Sequence, residues 1–130
     1  MLDASGIRHR VLAISACYSG GFLPALKGPD TLVITAARHD RASFGCGSES
    51  NVTYFGRAWL VDGLNATVDF AQAFAHARSD IAYRERSEDQ EPSLPQLRQG
   101  ERIGAHLAGW RARFTPGPAL PFAYGDADAP

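Results

Sequence analysis

Two short apolar runs constrain the fold of this chain more than any other feature of its sequence. Residues 10–17 (RVLAISAC) and 31–37 (TLVITAA) are rich in aliphatic and β-branched side chains and carry no regular polar face. Runs of this kind, closed by turn residues, are typical of strands that a parallel sheet buries on both faces. Residues 18–30, which contain glycine and proline, leave room for a short crossover. The pattern therefore predicts adjacent parallel strands in an α/β fold.

The rest of the chain alternates between loop and helix patterns. Residues 2–8 are expected to end a short helix with Gly6 as its C-cap. Residues 38–52 are polar, rich in glycine and serine and aperiodic, which predicts a long loop of the kind that often carries function. The further predicted elements are a helix over 53–64, a long helix from an N-cap at Thr67 to about Arg86, a last strand or the approach to a helix over 96–103, and a helix over 103–113.

Composition excludes several classes of function. The chain has 130 residues, which fit one domain, and a formal net charge of −1, which disfavours nucleic acid and anionic membranes as partners. No apolar run approaches the roughly 20 residues of a membrane helix, and the N-terminus lacks the apolar core of a signal peptide. Two cysteines and four scattered histidines predict neither a disulfide scaffold nor a metal site. Residues 114–130, rich in proline, glycine and alanine, are expected to be a disordered tail.

The stretch that carries chemistry is residues 14–21, ISACYSGG. There Cys17 ends the first apolar run and meets a Gly-rich turn, and the carboxyl ends of parallel strands line the ligand crevice of α/β sheets. A thiol at that place can attack a carbonyl carbon while nearby backbone N–H groups hold the oxyanion. The alternative is that Cys17 is a small buried hydrophobe, the common role of a free cysteine. Position alone leaves both interpretations open.

Beyond this stretch the sequence resembles the legumain-like cysteine peptidases, the asparaginyl endopeptidases and their bacterial relatives in the caspase-like clan. Segments similar to the family's nucleophile segment, next strand, following loop, next helix and last strand occur in order. These are SACYSG (15–20), TAA (35–37), SFGC (43–46), TYFG (53–56) and SLPQ (93–96). The resemblance spans residues 7 to about 103. It implies a partial caspase-like three-layer fold with a mostly parallel sheet flanked by helices, in which residues 1–113 form the C-terminal portion of a peptidase domain.

The resemblance implies amide-bond hydrolysis through a thioacyl intermediate, with a peptide or protein as the substrate and without a metal or an organic cofactor. Cys17 would be the nucleophile, and its own backbone N–H would form half of the oxyanion hole. Gly20 and Gly21 would let the chain turn away from the substrate. A nearby imidazole would keep the thiolate ionised and later protonate the leaving amine.

The base is missing from its expected place. In this family it is a histidine followed by glycine, at the end of a strand upstream of the cysteine, whereas the upstream residues here hold only His9, followed by Arg10. His9 begins the strand that Cys17 ends, so at about 3.3 Å per residue it would lie roughly 26 Å from the thiol. His39, which follows the second strand, is the alternative base. The chain is therefore expected to be a bacterial-type, N-terminally truncated member, completed by a missing N-terminal half or by a second copy.

Substrate choice is the next implication of the resemblance. The specificity pocket of legumain-like enzymes is built partly from the loop after the second strand, where Ser43 matches a pocket position and Ala42 replaces a serine. Arg57 stands where the family carries an acid that helps bind asparagine. If Arg57 points into the pocket, this charge reversal favours an acidic side chain before the scissile bond. If Arg57 points to solvent, as most helical arginines do, it carries no information about specificity. Cys46, in the same loop, is expected to pack against its neighbours.

Two functions from different classes therefore stand side by side. The first is a cysteine endopeptidase, present as a fragment without the usual histidine. The second is a non-catalytic pseudo-peptidase or interaction module on the same scaffold. The presence or absence of a His-Gly pair upstream of the nucleophile strand distinguishes them.

Overall fold

Three strands form one sheet in residues 2–124, the part of the chain that the computed structural model describes. β1 (Arg10–Ile14) and β2 (Thr31–Thr35) are parallel, and β3 (Gln96–Gln99) runs antiparallel to β2 on its other side. The predicted α/β class and the predicted parallel pair are confirmed. Of the two possibilities for residues 96–103, the strand is correct for its first part, and its direction adds an antiparallel pairing to the sheet.

The helical segments follow the predicted order. Gly6 ends the first of them, a 3₁₀ turn over Asp3–Ser5, in the left-handed conformation (φ 76°) that a glycine C-cap provides. The others are a 3₁₀ turn over Ser19–Phe22, α1 (Leu23–Leu26), a π-helix (Gly56–Gly63) continued by α2 (Leu64–Ala66), α3 (Phe70–Ser87) and α4 (Ile103–Arg113). None of the helices in residues 2–124 is both long and apolar enough to cross a membrane.

The centre of the core is β2, because all 5 of its residues are buried. Leu32 and Ile34 face an apolar cluster to which the helices contribute. Its helical members include Phe55, Trp59, Phe74, Ile81 and Ile103. Val33 is equally buried on the opposite face, where α1 contacts β2. The sheet is therefore flanked by helices, and the apolar run of residues 31–37 corresponds to a strand covered on both faces. The same expectation is wrong for β1, because that strand lies at the edge of the sheet: Ala13 is exposed, and its other residues are half-buried.

The long helix begins later than the sequence suggests. Its N-cap is Asp69, whose carboxylate accepts the backbone N–H groups of Ala71 (3.0 Å) and Gln72 (3.1 Å). The Thr67 hydroxyl instead accepts the N–H of Asp69 at 3.1 Å, and the Thr67 backbone is extended. A carboxylate also interacts favourably with the positive end of the helix dipole, so Asp69 is the stronger cap and the predicted N-cap at Thr67 is wrong.

The C-terminal segment returns to the middle of the chain. Residues 114–124 contain no helix or strand. The side-chain amide of Asn51 donates to the carbonyl oxygen of Ala123 at 3.1 Å, and the guanidinium of Arg57 lies over the Tyr124 ring, 4.7 Å from its centroid. The rest of the predicted tail, residues 125–130, lies outside the described residues, as Met1 does. Disorder of the tail stays a prediction.

At the opposite end of the strands from Cys17, Asp30 links the start of β2 to α4. Its carboxylate accepts two hydrogen bonds from the Arg102 guanidinium, at 2.7 and 3.0 Å, and lies 3.4 Å from the Arg8 guanidinium. The hydrogen bonds from Arg102 are the largest cause that lowers the pKa of Asp30, which is about 2 against its ordinary 3.8. The ionised form of Asp30 is therefore the one that the folded chain prefers.

Replacement of Asp30 by asparagine is expected to lower stability in a pH-dependent way. Because the pKa of Asp30 is lower in the folded chain than in the unfolded chain, its contribution is full above pH 3.8 and is lost as the pH falls to about 2. Urea unfolding of the two chains should give the largest difference in unfolding free energy near neutral pH and almost none at the acid limit. A difference that grows on acidification would contradict this role.

Candidate active site

Cys17 follows the end of β1 and has an exposed side chain. Its Sγ accepts the backbone N–H of Ser43 at 3.2 Å and donates to the Ser43 carbonyl oxygen at 3.3 Å. The loop after β2 thus holds the sulfur through both a lone pair and its proton. An exposed thiol in a fixed orientation is not a buried hydrophobe, so that interpretation of Cys17 is wrong.

The turn after Cys17 is held by backbone hydrogen bonds. They join Tyr18 N–H to Arg41 O (2.8 Å), Gly20 N–H to Ala37 O (2.8 Å) and Gly21 N–H to Tyr18 O (3.0 Å). Tyr18 has φ 59°, a left-handed conformation that costs a non-glycine residue roughly 1–2 kcal/mol. Such a conformation persists where the surrounding bonds over-determine it, and it is commonest at functional sites.

The two glycines of the turn differ in what they contribute. A Cβ atom on Gly20 would stand 2.7 Å from the backbone nitrogen of His39 and 2.9 Å from the carbonyl oxygen of Ala37. A Cβ atom on Gly21 would meet nothing within 4 Å. Only Gly20 is therefore required by close approach, because the backbone of the turn lies directly against the chain that leaves β2.

The backbone donors of the turn also differ in availability for an oxyanion. The N–H groups of Gly20 and Gly21 are occupied within the turn and its contact with Ala37. The N–H of Cys17 donates to no acceptor in residues 2–124. Of the three residues that the resemblance associates with the oxyanion hole and the turn, Cys17 is the one whose N–H is open beside the sulfur.

No imidazole in residues 2–124 makes a hydrogen bond to the Cys17 sulfur. His39 is exposed, and its backbone nitrogen lies against the turn at Gly20. The neighbouring Asp40 is bonded by the Arg38 guanidinium, and these hydrogen bonds are the main reason that the pKa of Asp40 is about 2. The structure thus brings His39 to the same edge as Cys17 without joining the two side chains.

His9 belongs to the far end of β1. It precedes the strand, and its ring stacks on the ring of His106 in α4, with the centroids 3.6 Å apart. This contact packs α4 against the start of the strand that Cys17 follows. The expectation that His9 does not serve as the base agrees with its place.

The predicted substrate loop is fixed beside the thiol. Ser43 is buried and Ala42 is half-buried. The carbonyl oxygen of Phe44 accepts the N–H of Tyr54 at 3.1 Å, which joins the loop to the start of the next helix. Ala42 and Ser43 therefore lie in the segment that contacts Cys17.

Two hydroxyl side chains near Cys17 contact each other in a way that the sequence does not predict. Ser15 Oγ, two residues before Cys17, and Thr53 Oγ1 lie 3.0 Å apart. Thr53 Oγ1 also accepts the N–H of Gly56 at 2.9 Å, as an N-cap hydroxyl does. A threonine directly before a helical pattern is a signal for such a cap, but its contact with the strand end depends on the tertiary fold.

Arg57 occupies the first turn of the π-helix. Its guanidinium lies 3.8 Å from the Asp62 carboxylate. Arg57 also lines a cleft of about 520 Å³ between the π-helix and α3, together with Asp62, Asp80 and Arg84. Cys17 does not line this cleft. The side chain of Arg57 and the thiol thus lie on neighbouring parts of one helix–loop unit, not in a single cavity.

The remaining candidate residues have simple surroundings. Cys46 is exposed, so the expected packing role for it is wrong, because its loop places it on the surface and not against the core. In residues 2–124 no three side chains of the metal-ligating types His, Cys, Asp and Glu gather into a possible metal site.

Comparison with known proteins adds one finding. The family model described as the Peptidase C13 family matches residues 1–104. No curated protein and no solved structure matches the chain. The matched range contains the strand, turn, loop and helices that surround Cys17, and it ends just after the start of α4.

Proposed function

The chain belongs to the Peptidase C13 family, the legumain family, and from that premise we propose that it is the nucleophile-bearing portion of a cysteine endopeptidase. Membership of the family implies cysteine-type endopeptidase function, and peptide or protein substrates, in broad terms. The observation that supports the finer assignment is the exposed thiol of Cys17, held by Ser43 after a parallel strand.

In the proposed reaction the Cys17 thiolate attacks the carbonyl carbon of the scissile peptide bond. The oxyanion that forms accepts the Cys17 N–H, which has no other acceptor in residues 2–124. The C–N bond breaks as the leaving amine takes a proton, and a thioester joins the substrate to Sγ. Water then hydrolyses the thioester and frees the thiol.

The proton carrier in this proposal is a histidine from additional chain outside residues 2–124 or from a second copy of the chain. Within those residues β1 pairs with β2 on one side only. The family places its histidine at the end of a strand before the nucleophile strand. A strand on the open edge of β1, from additional chain or from a second copy, would bring an imidazole to the thiol. His39 stays the alternative base.

The second candidate function is a non-catalytic interaction module. The observation that favours it is the same one that leaves the base open, namely that no imidazole in residues 2–124 bonds to the Cys17 sulfur. A pseudo-peptidase keeps the scaffold and the substrate loop, and it needs no proton carrier.

Site-resolved alkylation tests the proposal. The chain is treated near pH 8.5, where an ordinary thiol is partly ionised without a base, with a peptidyl chloromethyl ketone or with iodoacetamide, and adducts are mapped by mass spectrometry. We expect iodoacetamide to modify both exposed thiols and the peptidyl reagent to modify Cys17 in preference to Cys46. A peptidyl adduct at Cys46, or equal adducts at the two thiols, would overturn the nucleophile assignment.

We further propose that Arg57 selects an acidic side chain before the scissile bond. Thr53, at the start of the same helical segment, bonds to Ser15 beside the nucleophile turn, so the base of this helix borders the site. The Arg57 guanidinium, which also lies over the Tyr124 ring, is a planar fork of N–H donors of the kind that binds a carboxylate with two hydrogen bonds.

Arg57→Gln is expected to remove a preference for aspartate. In the unchanged chain, a peptidyl reagent with Asp before the reactive ketone should modify Cys17 about tenfold faster than its Asn counterpart, equivalent to about 1.4 kcal/mol. Arg84→Gln, which changes another arginine of the same cleft, is the matched control and should keep the preference. A strong Asn preference in the unchanged chain would remove Arg57 from the pocket.

A further inference from the structure

Ser19 is a fully buried polar residue directly behind the nucleophile turn. Its exposed fraction is 0%, and its Oγ accepts the backbone N–H of Ala37 at 3.2 Å. The neighbouring Gly20 N–H donates to the carbonyl oxygen of the same Ala37. The turn that begins at Cys17 is therefore hydrogen-bonded to both the N–H and the carbonyl oxygen of Ala37, just after β2. The side chain of Ser19 makes one of these two hydrogen bonds.

Ala37, the partner of the turn, is itself held firmly in place. Ala37 is fully buried, and the Thr35 hydroxyl donates to its carbonyl oxygen at 3.1 Å. The N–H of the next residue, Arg38, donates to the carbonyl oxygen of Ser93 at 2.9 Å. The end of β2 is thus held by its own strand, by its side chains and by the segment before β3, so it can serve as a fixed reference for the turn.

The turn that Ser19 joins to Ala37 contains the strained residue. Tyr18, between Cys17 and Ser19, is left-handed, and its N–H donates to Arg41. Without the Ser19 hydroxyl the buried Ala37 N–H would lose its partner, which is unfavourable, and one of the bonds that hold Tyr18 in this conformation would be gone. A turn that relaxes at Tyr18 moves the open N–H of Cys17 relative to its sulfur.

From these contacts we infer that Ser19 is a positioning residue for the nucleophile. Its hydroxyl sets the orientation of the Cys17 turn against the end of β2, and so sets the thiol and the oxyanion donor relative to the substrate loop. Ser19 contacts neither the substrate nor the reacting atoms. The inference rests on the proposed role of Cys17.

The test compares two buried hydroxyl deletions that meet at one residue. Ser19→Ala removes the acceptor of the Ala37 N–H, and Thr35→Val removes a donor to the Ala37 carbonyl oxygen. Both should lower the melting temperature by similar amounts, because both remove one buried hydrogen bond. Only Ser19→Ala should speed amide hydrogen exchange at Tyr18 and Gly20, by about tenfold, and slow the peptidyl modification of Cys17 by about tenfold. Modification of Cys46 by iodoacetamide should be equal in both.

Each outcome decides the inference. Equal exchange and equal Cys17 modification in the two folded variants would show a purely structural role for Ser19 and would overturn it. If the Ser19→Ala chain does not fold, Ser19→Thr retains the hydroxyl: unchanged exchange and modification then support the inference, and their loss in a folded chain overturns it. A chain with changed exchange at Tyr18, but no peptidyl preference for Cys17 even before substitution, would remove the proposed function and leave the role of Ser19 in the turn.

Discussion

Cys17→Ala is expected to abolish the fast, peptide-directed modification of the chain by the peptidyl reagent. The proposed reaction needs the sulfur itself, since Sγ is the atom that forms the thioester and the open Cys17 N–H lies beside it after a parallel strand. Only the slower reaction of the exposed Cys46 thiol should remain, because that reaction does not depend on peptide binding. Intact-mass spectrometry of the treated chain measures the result directly.

Cys46→Ala is the matched control for this loss. Cys46 is exposed like Cys17, but within residues 2–124 it has no hydrogen-bond partner of the kind that Ser43 provides to the Cys17 sulfur. The Cys46→Ala chain should retain full peptidyl modification and lose only one of its two iodoacetamide adducts. If the Cys17→Ala chain reacts with the peptidyl reagent as fast as the unchanged chain does, the reactive group lies elsewhere.

Gly20→Ala should have the second largest effect. Its new methyl group would lie 2.7 and 2.9 Å from backbone atoms of His39 and Ala37, and backbone atoms cannot move aside as the end of a side chain can. The turn must then lift off the end of β2, which breaks the Gly20–Ala37 hydrogen bond. Overpacking of this kind costs about 1–3 kcal/mol, and peptidyl modification of Cys17 should fall at least about tenfold.

The adjacent glycine makes the comparison strict. Gly21→Ala adds the same methyl group one residue later, where nothing lies within 4 Å. Its melting temperature and its Cys17 modification should match those of the unchanged chain, with a stability change within about 0.5 kcal/mol. Similar losses in the Gly20 and Gly21 variants would show that flexibility of the whole turn, and not close approach at Gly20, governs the site.

The two parallel strands were predictable because their sequence signal is local, although β1 lies at the edge of the sheet. An apolar run without alternation predicts a strand that is covered on both faces, and β2 is buried along its whole length. β3 has no such signal: residues 96–99 read QLRQ, and the strand exists because it pairs with β2. Its antiparallel direction depends on how α3 and the following segment return to the sheet, which no local pattern contains.

The candidate site also contains one part that the sequence predicts and another that it does not. Cys17 was predictable, because the strand end and the Gly-rich turn are adjacent in sequence. The contacts that hold it were not, since they come from residues 37–43 of an aperiodic loop and act largely through backbone atoms. Ser19 illustrates the limit: in the sequence it is a small polar residue in a turn, and only the fold places Ala37 against its hydroxyl.

The pair of hydrogen bonds between Cys17 and Ser43 has a chemical consequence of its own. The sulfur can donate to the Ser43 carbonyl oxygen only while it carries a proton, so a thioether or a thioester cannot make that bond. Alkylation or acylation of Cys17 therefore releases a carbonyl oxygen in the loop that also contains Ala42. The chemical state of the thiol should therefore be detectable in the loop, as a change in the NMR resonance frequencies of the backbone amides of residues 42–44.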